Sequence, residues 1–241
     1  MPPGFFAMRT FTIHQHRAAM KVTQDACILG AWAPLEGAST VVDIGTGTGL
    51  LALMAAQRLP DARIDAVDVD EGACADATDN VATSDYGQRI AVHRADIRAW
   101  SVGREGRYDH ILCNPPFFQN QPPSVDPVKR TARHAETLSF DDLATICRLL
   151  LAPSGRATIL VPVTELEVLT AAMASQGLVD SGRLWIRDRD DLPQRRIIIV
   201  WTVRDRSGTT EAADDHLTVR SAPGVYTDAM KDLMRPYYLH V

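Results

Sequence analysis

The 241-residue sequence predicts an α/β fold: a mostly parallel sheet with helices on both faces. Three observations predict it. From Thr40 onwards, strand-like runs alternate with helical segments. A glycine-rich turn, Gly45 to Gly49, lies between the first of those strands and the helix after it. The apolar fraction of 46% supplies one sizeable core.

Taken in order, residues 1–39 form a preamble with a basic start at His14, His16, Arg17 and Lys21. A short helix follows over Asp25 to Ala33, with Asp25 near its N-terminus and Pro34 closing it. Thr40 to Ile44 is a strand, Leu50 to Leu59 a helix, and Arg63 to Val69 a strand. Glu71 to Thr83 is helical, and Ile90 to His93 and Tyr108 to Cys113 are the next strands. Ser139 to Asp142 is a capping-box pattern opening a helix to Leu151, and Arg156 to Val161 is a fifth strand. Thr164 to Glu167 caps a helix that ends near Gly177. Leu184 to Ile186 and Arg196 to Thr202 have no full helix between them, which predicts an antiparallel pair at the sheet edge. Ser207 to Asp215 is polar and reads as a loop, and Thr227 to Met234 as a short helix before Pro236. Residues 118–137 are long for a connection in a compact domain, and such loops are often functional. The expectation is one domain over 1–241, with 1–39 as an N-terminal segment and 40–241 as the core.

A net charge of -5 and a pI of about 5.8 exclude a generally basic nucleic-acid coat, so an RNA partner must meet a local patch. Cys27, Cys74, Cys113 and Cys147 have neither Cys-x-x-Cys nor zinc spacing and read as free thiols in a reducing cytosol. No metal is expected. No signal peptide is read at the N-terminus, and no apolar stretch approaches membrane-spanning length. A cytoplasmic protein without membrane contact, monomeric or weakly dimeric, is expected.

Asn114-Pro115-Pro116-Phe117 ends the strand that runs to Cys113. Each proline fixes φ and removes a donor, and a residue before proline is held extended. The turn is therefore stiff. It presents the Asn114 amide, the Asn114 and Pro115 carbonyls and an aromatic ring in fixed directions. These groups suit a planar substrate bearing an –NH2, and they also suit a rigid strand end with a buried Phe. In Asp43-Ile-Gly-Thr-Gly-Thr-Gly49, the glycines allow a sharp turn and close approach of a ligand. Asp68 ends the next strand about 20 residues on, where a carboxylate can accept two ribose hydroxyls. Asp43 would repel a pyrophosphate but suits a sulfonium or an α-amino group. Asp96 can accept an adenine amino group with Ile97 beside the ring, or cap a helix.

Together and in this order, Asp43 to Gly49, Asp68, Asp96-Ile97 and Asn114 to Phe117 resemble class I S-adenosylmethionine-dependent methyltransferases. The resemblance implies a Rossmann-like, seven-stranded sheet with an antiparallel final pair. A narrower resemblance spans nearly the whole chain. Phe11-Thr-Ile-His-Gln15, Met20 to Asp25, Leu29 to Trp32, Asn114 to Phe118, Ala132-Arg-His134, Thr137-Leu138, Tyr226-Thr227 and Tyr237-Tyr-Leu239 are similar to bacterial tRNA1(Val) adenine-N6 methyltransferases. That family usually has Gly-Thr-Asp where this chain has Thr23-Gln24-Asp25, a departure in the cofactor-lining turn. It usually has Tyr at 117; Phe117 keeps the ring and loses a hydroxyl.

What the resemblance implies is specific. S-adenosylmethionine is held by Lys21, Thr23, Asp25, Asp43, Gly45, Thr46, Gly47, Gly49, Asp68, Val69, Asp96, Ile97 and Asn114, with residues 1–39 covering it. Asn114, Pro115 and Phe117 act on the amino group. Pro116, Phe117, Phe118, Lys129, Arg130, Arg133 and His134 meet tRNA, whose target is the adenine next to the anticodon. An adenine amino group is a poor nucleophile because its lone pair is delocalised. Hydrogen bonds to Asn114 and the Pro115 carbonyl favour a pyramidal nitrogen, and orientation of this kind contributes roughly 7–11 kcal/mol. Arg187, Arg189, Arg195 and Arg196 either contact phosphates or are balanced by Asp188, Asp190 and Asp191. Three rivals stand beside this reading: a same-fold methyltransferase acting on rRNA guanine N2 or protein glutamine, a nicotinamide oxidoreductase, and a non-enzymatic RNA-binding module.

Overall fold

The structure, a computed structural model, describes residues 4–115, 138–204 and 213–240. β1 (Phe5–Ala7) and β2 (Thr12–His14) pair antiparallel, with Phe5 opposite His14. α1 (Gln24–Trp32), β3 (Thr40–Ile44), α2 (Leu50–Arg58), β4 (Arg63–Asp68), α3 (Glu71–Ala82) and β5 (Ile90–Arg94) follow. Next come α4 (Ile97–Trp100), β6 (Tyr108–Cys113), α5 (Phe140–Leu150), β7 (Leu151–Pro162), α6 (Leu166–Ser175), β8 (Leu178–Arg187) and β9 (Arg196–Val203). β10 (Ala213–Thr218), β11 (Arg220–Ala222), β12 (Val225–Tyr226) and α7 (Asp228–Met234) end the chain.

One sheet carries eight of these strands in the order β10-β8-β9-β7-β6-β3-β4-β5. β9 runs antiparallel to both β7 and β8, and every other neighbouring pair is parallel. Successive strand residues feed opposite faces. Ile111 joins the core under α5 and α6 with Leu143, Ile159 and Trp201, while Leu112 joins the core under α1 and α2 with Leu29, Leu53 and Ile198. After β3 the chain moves outward through β4 and β5, then returns to lay β6 on the other side of β3. The strand order reverses there, and in such sheets the ligand crevice lies at the carboxyl ends of the strands at that point.

Four expectations are corrected. The sheet has eight strands rather than seven, and the antiparallel strand β9 is interior; β8 is covered in turn by β10. Residues 213–215 of the expected polar loop belong to β10, and 207–212 lie outside the described residues. The preamble contains the β1–β2 pair. Thr164 caps nothing: a 3-10 turn over Val163–Glu165 leads into α6 without a side-chain cap. The Ser139 cap does form, its hydroxyl accepting from the Asp142 N–H at 3.0 Å. The four cysteines are free and buried. Among the described residues, no helix is long and apolar enough to cross a membrane, and no group of three or more His, Cys, Asp or Glu could hold a metal ion.

Candidate active site at the carboxyl ends of β3, β4 and β6

The turn after β3 is bound to the end of β4. The N–H groups of Gly45 and Thr46 donate to the Val67 carbonyl at 2.9 and 3.1 Å, and the Gly47 N–H donates to Asp68 Oδ2 at 2.8 Å. Gly47 has a φ of 57°, which side chains rarely adopt, and a Cβ placed on Gly45 or Gly47 would meet no atom within 4 Å. The turn is thus an open cradle of backbone at the switch point.

Asp43 lies beneath it with no exposed surface. Its Oδ2 accepts from the Thr46 hydroxyl at 2.6 Å and from the Ala52 N–H at 3.2 Å. Its Oδ1 is buried without a hydrogen-bond partner among the described residues. Burial pushes the carboxyl up to about 7, against the lowering effect of those two bonds.

Asp68 closes β4. Its Oδ1 accepts from the Asp70 N–H at 2.9 Å, and its carbonyl accepts from the Ala95 N–H at 2.8 Å, which draws the end of β5 alongside. Val69 beside it is 58% exposed and offers an apolar wall. Asp96 caps α4 through the Arg98 N–H at 2.9 Å, and the Arg98 guanidinium pairs with both its oxygens at 2.7–3.0 Å. That pairing holds the Asp96 carboxyl below its usual range. Ile97 is buried in the core.

Ile44 pairs in register with Cys113, so Asn114 emerges beside Gly45. Asn114 Oδ1 is buried with no hydrogen-bond partner among the described residues, and Pro115 is buried after it. An orphaned amide oxygen is costly to leave in a folded interior. Pro116, Phe117, Phe118, Lys129, Arg130, Arg133 and His134 lie outside the described residues.

The structure puts Lys21 and Thr23 to internal use. Lys21 Nζ donates to the Gln15 and Ala18 carbonyls at 2.6 and 2.9 Å, and Thr23 caps α1. Asp25, in the first turn of α1, pairs with Arg196 at 3.3 Å. Burial raises its carboxyl, and Arg196 opposes the rise. Of the basic residues around β8 and β9, Arg187 pairs with Asp190 at 2.6 Å, Arg189 with Asp191 at 3.0 Å and Arg196 with Asp25, while Asp188 pairs with Arg220. Two residues bordering this site were not singled out from the sequence. Asp76 and Asn80, each 1% exposed on α3, bind the N-terminal segment. Their signal was two polar residues four apart on the helix face that also carries Ala73 and Ala77.

Residues 28–139 match the methyltransferase small domain family. A tRNA1(Val) (adenine(37)-N6)-methyltransferase of Serratia proteamaculans is 38% identical over 237 residues, covering 98% of this chain and 90% of that protein. A protein of the same name from Shewanella loihica is 37% identical over 240 residues, covering 97% and 98%. Among solved structures, a predicted O-methyltransferase from Agrobacterium tumefaciens superposes with a TM-score of 0.68 at 18% identity, over 88% of this chain and 96% of that one, a likeness of fold. The chain belongs to the tRNA1(Val) (adenine(37)-N6)-methyltransferase family.

Proposed function

We propose that this protein uses S-adenosylmethionine to methylate the exocyclic N6 of an adenine in tRNA, adenine 37 of tRNA1(Val), in the bacterial cytoplasm. The observation that carries the reading is the buried Oδ1 of Asn114, which has no hydrogen-bond partner among the described residues, on a proline-stiffened turn beside an open glycine cradle. An amide oxygen in that state is set to accept a hydrogen from a ligand, and an amino group on a planar base supplies one. The names of full-length relatives at 37–38% identity support the adenine and the tRNA.

The residues present fit the cofactor. The Gly45 to Gly49 backbone leaves room for it, Asp68 offers a carboxylate to the ribose, and Val69 offers an apolar wall to a ring. Asp43 Oδ1, without a hydrogen-bond partner among the described residues, lies where a cationic portion of the ligand would be favoured. When bound, the cofactor supplies an electrophilic methyl group on sulfur. The chain's part is orientation. Asn114 Oδ1 accepts one amino hydrogen and the Pro115 carbonyl the other, which pyramidalises the nitrogen and aims its lone pair. Asp96 already carries Arg98 on both oxygens, so it accepts an adenine amino group only by sharing that guanidinium or displacing it. The assignments of Phe117 and of the basic residues 129–134 rest on the sequence.

Incubating the protein with S-adenosylmethionine and unmodified tRNA, then digesting the RNA for nucleoside mass spectrometry, tests this. N6-methyladenosine in tRNA, with free adenosine a very poor substrate, is expected, because remote contacts supply the energy that orients the base. Methylated guanosine as the only product, or no methylated nucleoside at all, overturns the assignment.

A further inference from the structure

We propose that Asp76 and Asn80 are positioning residues that latch residues 14–23, an N-terminal strap, beside the glycine-rich turn, and that this latch sets how tightly cofactor and product are held. The inference rests on the cofactor site proposed above.

α3 starts three residues after Asp68, at one wall of the crevice. Gly72, Asp76 and Asn80 recur every four residues, so they line one face of it. Asp and Asn are poor helix-interior residues and costly to bury without partners. Here every partner of the two side chains comes from outside the helix. Asn80 Oδ1 accepts from the His14 N–H at 2.8 Å. Its Nδ2 donates to the His14 carbonyl at 2.8 Å and to the Thr48 carbonyl at 2.9 Å. One amide thereby ties the strap to the glycine-rich turn. Asp76 Oδ2 accepts from the Arg17 and Ala18 N–H groups, each at 2.8 Å, and its Oδ1 accepts from Arg17 Nε at 2.8 Å. At Gly72 the strap comes closer still: a Cβ there would lie 2.7 Å from the Arg17 carbonyl oxygen.

The strap is closed on itself and runs directly into α1. The Val22 N–H donates to Gln15 Oε1 at 2.8 Å within the strap, and Thr23 caps α1. α1 packs on α2 so closely that a Cβ on Gly30 would meet Met54 Sδ at 2.6 Å. α2 begins at Leu50, directly after the glycine-rich turn. The strap therefore passes from α3 to α1, from one flank of that turn to the other. In this proposal, release of a ligand held at the turn requires the strap to give way, and Asp76 and Asn80 resist this through their bonds to the strap and to Thr48.

Two variants test the latch. Asn80→Ala removes all three amide bonds. Gly72→Ala keeps the Asp76 and Asn80 side chains and favours the helix, because Gly72 is not among the positive-φ glycines, but its methyl group pushes on Arg17. For each, S-adenosylhomocysteine affinity is measured by calorimetry, its dissociation rate by stopped flow, trypsin cleavage after Arg17 and Lys21 by mass spectrometry, and methyl transfer to tRNA by steady-state kinetics. The expected result is about tenfold weaker cofactor binding and a matching rise in cofactor KM, because only part of what the strap loses is transmitted to the ligand. Faster dissociation, faster cleavage, and a kcat kept or raised at saturating cofactor go with it. Wild-type affinity and dissociation rate in the folded variants, or a lower kcat with unchanged cofactor KM, overturns the latch. If Asn80→Ala does not fold, Gly72→Ala decides alone. Failure of the wild-type protein itself to bind S-adenosylhomocysteine overturns the proposed function instead.

Discussion

Asp43 is a carboxylate with one oxygen committed to Thr46 and Ala52 and the other to nothing among the described residues. Burial raises it to about 7, so it is part-protonated at neutral pH. A cationic ligand beside it favours the ionised form. Binding then releases a proton, and affinity rises with pH through 7 and levels above it. Calorimetry should show cofactor binding about tenfold weaker at pH 6 than at pH 8, following the ionised fraction, with the dependence gone in Asp43→Asn. Affinity that is flat in the wild type contradicts the placement. Asp68 holds the Gly47 N–H and, in the proposed function, also offers its carboxylate to the ribose. Asp68→Ala should therefore cost more than a single charge-assisted bond of about 1.5–3 kcal/mol, as a loss of cofactor affinity.

At the scale of elements, the glycine-rich turn is also a packing joint. Gly49 has a φ of 82°, precedes α2, and would place a Cβ 3.4 Å from the Ala77 Cβ in α3. Gly49→Ala should cost about 1–2 kcal/mol in backbone strain, lowering the calorimetric Tm by about 2–8 °C. An unchanged Tm contradicts the account. Where elements were misread from the sequence, tertiary pairing had overridden local character. β10 reads Ala-Asp-Asp-His-Leu-Thr, with only Leu217 buried, and by composition it is a loop. It becomes a strand because β8 presents an open edge, against which Asp214 pairs with Arg183 and Leu217 with Ile186. β1 and β2 are three residues each, too short for a periodic signal. Thr164 had the right spacing for a cap, but Pro162 and a 3-10 turn set the entry to α6.

Across the whole molecule, two buried groups oppose one another. His110, 1% exposed and bonded to Thr158 at 2.8 Å, is pushed down to about 3 by burial. Its lowered folded value gives stability that is present above about 6.5 and is lost as pH falls towards 3. Asp43, raised from about 4, gives stability that is present below that value and is lost as pH rises through about 7. Between about pH 4 and 6.5 the slopes cancel. Urea unfolding of Asp43→Asn across that range should lose stability with acid more steeply than the wild type, by up to about 1.4 kcal/mol per pH unit. Parallel curves contradict it. The strand-helix alternation, the glycine-rich turn, Asp68 and Asn114 were legible because each follows from local chemistry at a strand end. Asp76, Asn80 and the Asp96–Arg98 pairing were not, because their roles depend on which segment packs against them. The central claim is that Asn114 orients an adenine amino group in tRNA. Its most direct measurement compares wild type and Asn114→Ala from parallel preparations, scoring N6-methyladenosine in tRNA and cofactor affinity together. The account predicts N6-methyladenosine with the wild type, its loss in Asn114→Ala, and cofactor affinity largely retained. Wild-type turnover in Asn114→Ala, or loss of turnover only in step with lost cofactor binding, would contradict it.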